Sequence, residues 1–410
     1  MDVTQSDRSP AIFDTPPGRR RLVVAAQDPR YGGGFRTYAT AFAEGSRRLG
    51  YEPHLVYASL EHGLSLGRRS PSLRSRQERH GLLGGTAVPA VLPELDAINQ
   101  RVAAWYTRRV VLRESGGRPA WCVAASAPYG YGLLRSGARY ACWIATDLED
   151  DWRARSSALS RSRRFTHGLS APGLQQIERD VLRGAAAVYA ISPYARKRLA
   201  AAAGADESSV RILLIPVDVD RLAPAPDALW EAGLAAPRLV FVGRAADPRK
   251  NLPLLLRAFE RVRAQIPQAT LAVAGGIPQG RLPSGTETLP FVPDLPQFLR
   301  SGSIFVLPSR QEGFGIVVAE ALAAGLPVVA TPCGGPEDLI VRSGGGVVLD
   351  GFDADEMAEA ILSLLEAPTR LSQMREDGRE YVRRHHSPRA FTLALAAAFE
   401  DLGLPVNLRS

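Results

Sequence analysis

Two glutamates on either side of a glycine-rich turn form the strongest chemical pattern in this chain of 410 residues. Glu312 and Glu320 are separated by seven residues, and Glu320 is the only charged residue between positions 313 and 336. A carboxylate in so apolar a stretch is costly to bury unless it has a partner. The pattern predicts a helix that begins after the glycines, where free backbone N–H groups would suit ligand oxygens. The alternative is a helix-capping glutamate followed by an ordinary surface one.

A second pattern in the C-terminal half combines a glycine with two cations. An apolar run at 239–242 leads into Gly243 and Arg244, and Lys250 follows at the predicted start of a helix. Arginine can bind a phosphate through two hydrogen bonds, lysine offers a compact charge, and a helix start favours anions. Lysine is scarce, since Lys197 is the only other one beside 48 arginines, which suggests a specific need for an ammonium group at position 250. The alternative is a solvated surface pair.

A third pattern is the glycine turn at 32–34, which follows the first apolar run of the chain at 22–26. It lacks the G-x-G-x-x-G spacing of a dinucleotide-binding turn. Glycines at this point would let a ligand approach the backbone closely. A tight turn between a strand and a helix would need them equally, so both interpretations stay open.

These patterns belong to an alternation of strands and helices that runs through both halves. Short apolar runs predict strands, and segments with apolar residues at helical spacing predict helices between them. Further strands are predicted at 54–58, 121–125, 140–145, 185–191, 210–215, 270–274, 304–307 and 328–331. Such alternation is typical of α/β domains with doubly wound parallel sheets, in which ligands bind beyond the carboxyl ends of the strands.

Length and composition favour two such domains with a cleft between them. We predict a disordered tail at 1–18, an N-terminal domain at 19–216, a link at 217–237, a C-terminal domain at 238–385 and a final helical segment at 386–410. Residues 67–81 are rich in arginine and serine, and we expect them to form a mobile surface loop.

Composition excludes several classes of protein. The three cysteines are far apart in the sequence, which argues against a disulfide framework or a cysteine-rich zinc site. The N-terminus lacks the basic and apolar regions of a signal peptide, and no uncharged stretch is long enough for a membrane span. We therefore expect a soluble, cytoplasmic protein. Its charge is uneven, since residues 1–216 carry +12 and the remainder −4.

Taken in this order, the patterns resemble those of the retaining GT-B glycosyltransferases of family 4. The segment with Gly243, Arg244 and Lys250 resembles the family's diphosphate-binding segment, residues 312–320 resemble its E-x7-E motif, and residues 321–337 are similar to its usual continuation. Residues 215–220 resemble the segment that opens its interdomain link. The resemblance implies two Rossmann-like domains facing across a cleft, with the acceptor in the N-terminal domain, a nucleotide-sugar in the C-terminal domain, and a last helix that crosses back to the N-terminal domain.

The resemblance also implies roles for individual residues. Glu312 would lie beside the donor sugar, and Glu320 would bind the ribose hydroxyls. The other residues expected to bind the donor are Gly33 and Gly34 near the phosphates, Arg244 and Lys250 at the diphosphate, Phe291 and Val292 at the base, and Gly313, Phe314 and Gly315 around the sugar.

One departure from the family pattern concerns the catalytic machinery. Members commonly have a histidine after the strand at 140–145, where this chain has Asp147 in an acidic run. Asp147 would replace the histidine in contacting the sugar or the acceptor, whereas the acids at 149–151 are more typical of a solvated helix start. Asp218 and Asp220 spell D-x-D, a metal signature in other glycosyltransferases, but their position at the interdomain link argues against a metal.

The resemblance therefore predicts a retaining glycosyltransferase that moves a hexose from a nucleotide-diphosphate sugar to an acceptor, without a metal or another cofactor. Fixed cations and helix N-termini can stabilise the leaving diphosphate directly. The alternative, suggested by the missing histidine, is a nucleotide-sugar-binding protein without transfer activity. The basic half favours an anionic or lipid-linked acceptor and a peripheral contact with the inner membrane face. Nucleic acid is not expected, since the arginine-rich runs at 68–79 and 153–164 lack interleaved aromatic residues.

Overall fold

The computed structural model describes residues 18–29, 34–59, 76–80, 83–89, 96–156, 161–277 and 280–406. Within these ranges the chain forms two β-sheets with flanking helices, which confirms the α/β architecture of two doubly wound units. The tail predicted at 1–18 lies outside the described residues except for Gly18. The domain boundaries given above stay predictions.

The described N-terminal half contains an eight-stranded sheet. Its strands are β1 (Arg20–Ala26), β2 (Tyr51–Ser59), β3 (Arg76–His80), β4 (Leu83–Pro89), β5 (Ala120–Ala124), β6 (Tyr140–Ile144), β7 (Ala187–Ala190) and β8 (Val210–Ile212). Their spatial order is β3-β4-β2-β1-β5-β6-β7-β8, and the pairing is parallel except between β3 and β4. Strands β5 and β6 are buried at every position, because a parallel sheet covered by helices excludes water from both faces.

The helices of this half connect the parallel strands. They are α1 (Gly34–Arg48), α2 (Asp96–Glu114), α3 (Tyr131–Ser136), α4 (Leu148–Ser156), α5 (Arg161–Gly184) and α6 (Pro193–Ala203). Two residues in the sequence fix the ends of helix α6. Ser192 accepts a hydrogen bond from the N–H of Ala195 at the start, and Gly204 adopts a left-handed conformation at the end.

The described C-terminal half contains a six-stranded parallel sheet. Its strands are β9 (Arg238–Val242), β10 (Thr270–Ala274), β11 (Thr286–Leu289), β12 (Ile304–Leu307), β13 (Val328–Ala330) and β14 (Gly346–Val348), in the order β11-β10-β9-β12-β13-β14. The helices are α7 (Asp227–Gly233), α8 (Leu252–Gln265), α9 (Leu295–Arg300), α10 (Ile316–Ala323), α11 (Gly335–Ser343), α12 (Ala354–Leu365), α13 (Pro368–His385) and α14 (Pro388–Asp401).

The strand order of each sheet reverses direction at one place. In the N-terminal sheet this switch lies between β1 and β5, and in the C-terminal sheet between β9 and β12. Ligands of open α/β sheets bind at such points, beyond the carboxyl ends of the strands. The turn that follows β9 carries Lys250, and the turn that follows β12 carries Glu312. The fold therefore brings the two strongest sequence patterns to one edge of one sheet.

The last helix, α14, packs against the N-terminal half. Its Phe391 ring stacks on Trp143 of β6 with 5.3 Å between ring centroids, and Phe399 lies edge-on to Tyr51 of β2 at 5.3 Å. Gly45 allows α1 to approach closely, because a Cβ atom at this position would lie 2.9 Å from the side chains of Phe391 and Leu395. This helix ties the end of the chain to the first sheet.

The loop predicted at 67–81 is wrong in part, and the segment predicted as a link contains a helix that the sequence did not indicate. Residues 67–81 were expected to form a mobile loop, but Arg76–His80 is strand β3, paired antiparallel with β4; residues 67–75, 81 and 82 lie outside the described ranges. The link at 217–237 contains helix α7, whose Trp230 is buried beneath the guanidinium of Arg375 at 4.9 Å from the ring centroid. Strand β3 pairs with the next strand of the chain, from His80 opposite Leu83 to Arg76 opposite Ala87, whereas α7 is covered by Arg375, which is distant in sequence. Local composition indicated neither element.

Among the helices of the described ranges, none combines the length and the apolar character needed to cross a bilayer.

Candidate active site

The loop that carries Glu312 is held by backbone pairing with the turn after β13. The Glu312 N–H donates to the carbonyl of Cys333 at 2.7 Å, and the Gly335 N–H donates to the carbonyl of Glu312 at 2.9 Å. Only glycine fits at position 335, because a Cβ atom there would lie 2.1 Å from the carbonyl oxygen of Gly313. The turn after β13, which contains Cys333 and Gly335, therefore fixes the backbone at Glu312.

The Glu312 carboxylate forms an ion pair with Lys250. One oxygen, Oε1, accepts from Lys250 Nζ at 2.5 Å and from Ser309 Oγ at 2.8 Å. Both charged side chains are mostly buried, with 15% of each exposed. A charge-assisted pair in such surroundings holds both groups in fixed positions. The structure thus joins the two sequence patterns, although 62 positions separate these residues.

The amide groups at the start of α10 remain available to a ligand. Within the described part of the chain, the N–H groups of residues 313–317 have no hydrogen-bond acceptor. Gly315 permits the turn, since its φ of 77° lies in the left-handed region. Free N–H groups and the positive end of the helix dipole favour an anion or the oxygens of a sugar. The roles expected for Gly313, Phe314 and Gly315 depend on this row of free N–H groups.

A cavity of about 230 Å³ lies between this row and the N-terminal sheet. Lys250 and Glu312 line one side, while Gly34, Tyr38 and Thr146 line the other. The Tyr38 side chain is buried, and its hydroxyl has no hydrogen-bond partner among the described residues. An unsatisfied buried hydroxyl is costly, so it indicates a place for a polar ligand.

Direct contacts across the cleft hold the two halves together beside this cavity. Ser192 Oγ donates to the carbonyl of Gly313 at 2.7 Å, and Gln311 Nε2 donates to Asp150 Oδ2 at 2.7 Å. A Cβ atom at Gly313 would lie 2.8 Å from the carbonyl oxygen of Ala145, so glycine is required at this close approach. These contacts set the width of the small cavity.

Glu320 lies in a larger cavity of about 1070 Å³ that adjoins the first. Residues 316 and 317 line both cavities. Burial raises the pKa of Glu320 to about 7, with Arg221 acting in the opposite direction. Within the described residues its carboxylate accepts no hydrogen bond. A carboxylate without a donor in a cleft suits a ligand that brings hydroxyl groups.

The expected arginine ligand, Arg244, lies away from both cavities, whereas its neighbour Arg249 lies at the smaller one. Arg244 is 66% exposed, pairs with Asp247 at 3.1 Å and lines neither of these two cavities. Arg249 lines the small cavity and binds Asp247 through Nε at 3.1 Å and a terminal nitrogen at 2.8 Å. Burial opposes ionisation of Asp247, but hydrogen bonds and charge from Arg249 outweigh it and lower its pKa to about 2. Among the described residues Arg249, rather than Arg244, is therefore the arginine that lines the small cavity.

Asp147 is placed away from the cavity surface. Its carboxylate is buried and accepts from Arg198 at 3.0 Å and 2.8 Å, while the adjacent Thr146 lines the cavity instead. Glu178 lies beside it and accepts from the Leu148 N–H at 3.1 Å. Burial and the charge of Asp147 raise the pKa of Glu178 to about 8. These contacts make Asp147 part of a buried cluster at the start of α4.

The remaining expected ligands are placed as follows. Gly33 lies outside the described residues, and Gly34 begins α1, where a Cβ atom would lie 3.3 Å from Ile316 of α10. The Phe291 side chain is 76% exposed, and Val292 is partly buried; neither lines the two cavities. The neighbouring Leu295 does line the larger one.

No group of histidine, cysteine, aspartate and glutamate side chains in the described ranges is arranged to hold a metal ion. Asp218 and Asp220 both line the larger cavity, and Asp218 Oδ1 accepts from the N–H of Arg221 at 3.1 Å.

Several residues at the site carry no sequence signal of their own. Tyr38 fits the apolar spacing of α1, and Thr146 and Gln311 are single polar residues beside motifs. Ser192 is recognisable as a helix cap, but its bond to the Gly313 carbonyl depends on the tertiary structure.

Comparison with known proteins identifies related sequences. Residues 236–367 match the family described as "Glycosyl transferases group 1". A GDP-mannose-dependent α-(1-6)-phosphatidylinositol monomannoside mannosyltransferase of Mycobacterium tuberculosis is 32% identical over 259 residues, which cover 56% of this chain and 67% of that enzyme. D-inositol 3-phosphate glycosyltransferase 2 of Catenulispora acidiphila is 32% identical over 224 residues, covering 48% and 51%. The chain thus spans about half to two thirds of the length of these curated relatives.

Solved structures extend the likeness over nearly the whole fold. Sucrose-phosphate synthase from Thermosynechococcus elongatus superposes with a TM-score of 0.70, covering 94% of this chain and 99% of that one at 17% identity. At that identity the likeness concerns the arrangement of the two sheets and their helices.

Proposed function

The chain belongs to the glycosyl transferases group 1 family, and from this premise we propose that it transfers a hexose from a nucleoside diphosphate sugar to an acceptor hydroxyl. One observation carries the proposal: the Lys250–Glu312 pair lies beside a row of free N–H groups at the start of α10, at the edge of the cleft. The name of the M. tuberculosis relative specifies GDP-mannose as its donor, which supports a hexose donor here.

The positive groups of the site suit the leaving diphosphate. Transfer breaks the bond between the anomeric carbon and a phosphate oxygen, so negative charge collects on the diphosphate. Lys250 and Arg249, which Glu312 and Asp247 hold in place, and the α10 N-terminus would direct N–H donors toward that oxygen at the small cavity. We propose that these groups take the place of a metal ion.

The acids have separate proposed roles. Glu312, whose position Lys250 and Ser309 fix, would contact the donor sugar in the small cavity, and Glu320 would accept hydrogen bonds from the ribose hydroxyls in the larger one. Retention at the anomeric carbon, with the acceptor on the same face as the leaving group, follows from the family resemblance. For Asp147 we propose a positioning role, because its carboxylate is bound by Arg198 rather than turned to the cavity.

The acceptor is proposed to be anionic. The larger cavity has arginines on its N-terminal side and on α14, namely Arg36, Arg48 and Arg389. Both curated relatives named above carry inositol linked to phosphate in the names of their acceptors. A phosphoinositol headgroup, free or attached to a lipid, combines acceptor hydroxyls with the negative charge that these arginines could bind.

The experiment compares Lys250→Ala with Lys197→Ala. Lys197 is exposed on α6, so its replacement makes the same change in net charge away from the site. Nucleoside diphosphate binding, measured by calorimetry, and transfer from labelled GDP-mannose or UDP-glucose to phosphatidylinositol or inositol phosphate are followed in both. Loss of a charge-assisted contact should weaken binding about 10- to 100-fold in Lys250→Ala alone.

Two results would contradict the proposal. If Lys250→Ala binds the diphosphate as tightly as the unmodified protein, the diphosphate site is misplaced. If the unmodified protein binds no nucleotide and transfers no sugar, the function itself is wrong. Circular dichroism of both variants checks that the fold is retained.

A further inference from the structure

Helix α2 presents a basic and apolar face to solvent. Its inner side is buried through small and β-branched residues, among them Ala103, Thr107 and Val111. On the opposite side Trp105 is 48% exposed and Leu112 is 59% exposed. The helix thus has apolar residues on two sides, and only one of them is covered by the rest of the described structure.

The charges on this outer side all have one sign. Arg101, Arg108, Arg109 and Arg113 are exposed, and the sequence contains no acid between positions 97 and 113. The Arg109 guanidinium lies over the Trp105 ring at 3.6 Å from the centroid. Together with Trp105 and Leu112, these four arginines form what we call the α2 face.

Spacing places these side chains along one line. Positions 101, 105, 108 and 112 follow the i, i+4, i+7, i+11 rule for a single helical stripe, which extends about 16 Å along the axis. Other exposed apolar residues differ: Leu229, 69% exposed on α7, lies between Asp227 and Glu231. A tryptophan and a leucine flanked only by arginines are therefore particular to this face among the exposed apolar residues of α2 and α7.

We propose that the α2 face docks on the surface of an anionic lipid bilayer. Arginines bind lipid phosphates, and the attraction is strongest for a leaflet with negative surface charge. Tryptophan is favoured at the depth of the headgroups, and leucine can enter the boundary of the acyl chains. The helix lies on the membrane surface and does not span it.

The α2 face is distinct from the arginine-rich runs at 68–79 and 153–164. Most of the side chains in those runs lie outside what the structure describes. Arg153, which is described, forms an ion pair with Glu149. The docking inference rests on α2 alone and does not depend on the proposed transfer reaction.

The test measures sedimentation of the full chain with vesicles. Vesicles of pure phosphatidylcholine are compared with vesicles containing about one third phosphatidylglycerol, at low and high salt. The unmodified protein should bind only the anionic vesicles and dissociate at high salt. The double variant Arg101→Gln/Arg108→Gln should bind about tenfold more weakly, and Trp105→Ser/Leu112→Ser should also lose affinity.

A charge-matched control separates the α2 face from overall charge. The variant Arg383→Gln/Arg384→Gln removes two exposed arginines from α13 and should bind the anionic vesicles within about twofold of the unmodified protein. Since all these side chains are exposed, the thermal midpoints of the variants should stay close together.

Fluorescence reports contact directly. Trp121, Trp143 and Trp230 are buried, Trp152 is half-buried and Trp105 is exposed, so the part of the acrylamide quenching that is lost in Trp105→Ser/Leu112→Ser reports Trp105. Binding to anionic vesicles should protect this fluorescence, and the protection should vanish in Trp105→Ser/Leu112→Ser.

Three outcomes overturn the proposal. The first is equal binding to neutral and anionic vesicles, or none to either. The second is unchanged anionic-vesicle binding in both α2 variants. The third is a loss of binding to a labelled single-stranded oligonucleotide in Arg101→Gln/Arg108→Gln while vesicle binding is unaffected, which would make the face a nucleic-acid surface. Sugar transfer is measured on the same samples, so failure of membrane docking is distinguished from failure of the proposed reaction.

Discussion

Replacing Glu320 by glutamine should stabilise the ligand-free protein at about pH 8 and weaken its binding of nucleoside diphosphates. The carboxylate lies in the larger cavity without a hydrogen-bond donor among the described residues, so its charge is poorly compensated. Glutamine keeps the shape of the side chain and removes the charge. The same change removes the group proposed to hold the ribose.

The magnitude follows from the pKa. Burial raises the pKa of Glu320 from 4.5 to about 7. Since a tenfold change in proton affinity corresponds to about 1.4 kcal/mol, ionising this group costs about 3 kcal/mol more in the folded chain than in the unfolded chain. Below pH 4.5 the group is protonated in both the folded and the unfolded chain, so it does not lower the stability. Stability falls as pH rises from 4.5 to 7, and the loss is complete above pH 7.

The assay is urea unfolding of both proteins across this pH range. The free energy of unfolding of Glu320→Gln should equal that of the unmodified protein at the acid end of the range. At the alkaline end it should be higher by about 3 kcal/mol. Loss of a hydrogen bond to a charged acceptor should weaken diphosphate binding about 10- to 100-fold.

Glu312→Gln is the matched control. Glu312 already accepts from Lys250 and Ser309, so its replacement leaves the mostly buried Lys250 ammonium without its carboxylate and should lower stability. If Glu320→Gln is no more stable than the unmodified protein at about pH 8, or is more stable by the same amount at all pH values, burial is not the cause of the raised pKa of Glu320. Unchanged diphosphate affinity would refute the ribose role.

Three other changes test the surroundings of the site. Tyr38→Phe removes a buried hydroxyl that has no partner in the described ranges, so the thermal midpoint should stay or rise, while kcat/KM for transfer should fall about fivefold. In Gly335→Ala the added carbon would lie 2.1 Å from the Gly313 carbonyl oxygen, so thermal melting should show a loss above about 2 kcal/mol together with weaker nucleotide binding. Burial lowers the pKa of His386 to about 4, against a contribution in the other direction from its hydrogen bond to the Ile215 carbonyl. Stability should therefore fall as pH drops from 6.5 to 4, and urea unfolding of His386→Gln should show a flatter dependence in that window.

Local patterns in the sequence predicted the elements that carry the site. The apolar runs at 239–242 and 304–307 became strands β9 and β12, because a strand buried on both faces must be apolar throughout. The helix expected after the glycine turn is α10, and Glu320 lies in it about one turn from the start. These features depend on backbone sterics and on spacing within a few residues, which the sequence alone contains.

Charge partners could not be predicted in the same way. Asp147 pairs with Arg198, and Arg249 rather than Arg244 lines the small cavity. Sequence position identified both loops, but Asp247 directs the Arg249 side chain and Arg198 of α6 directs the Asp147 side chain. A prediction based on residue type within a loop therefore finds the segment, whereas tertiary contacts decide which of its side chains lines the cavity.

Local sequence patterns were enough to predict most strands and helices around the cleft, the glycines that the turns require and the acids and cations near it, but not β3, β4, β11, β14 or α7. Which of these groups meet depends on the tertiary structure. Lys250 contacts Glu312 because β9 and β12 are neighbours in the sheet, and Tyr38 faces the same cavity because Ser192 and Gln311 hold the two halves together. Contacts between residues far apart in the chain leave no local periodicity, so the site's geometry appears only when both sheets are in place.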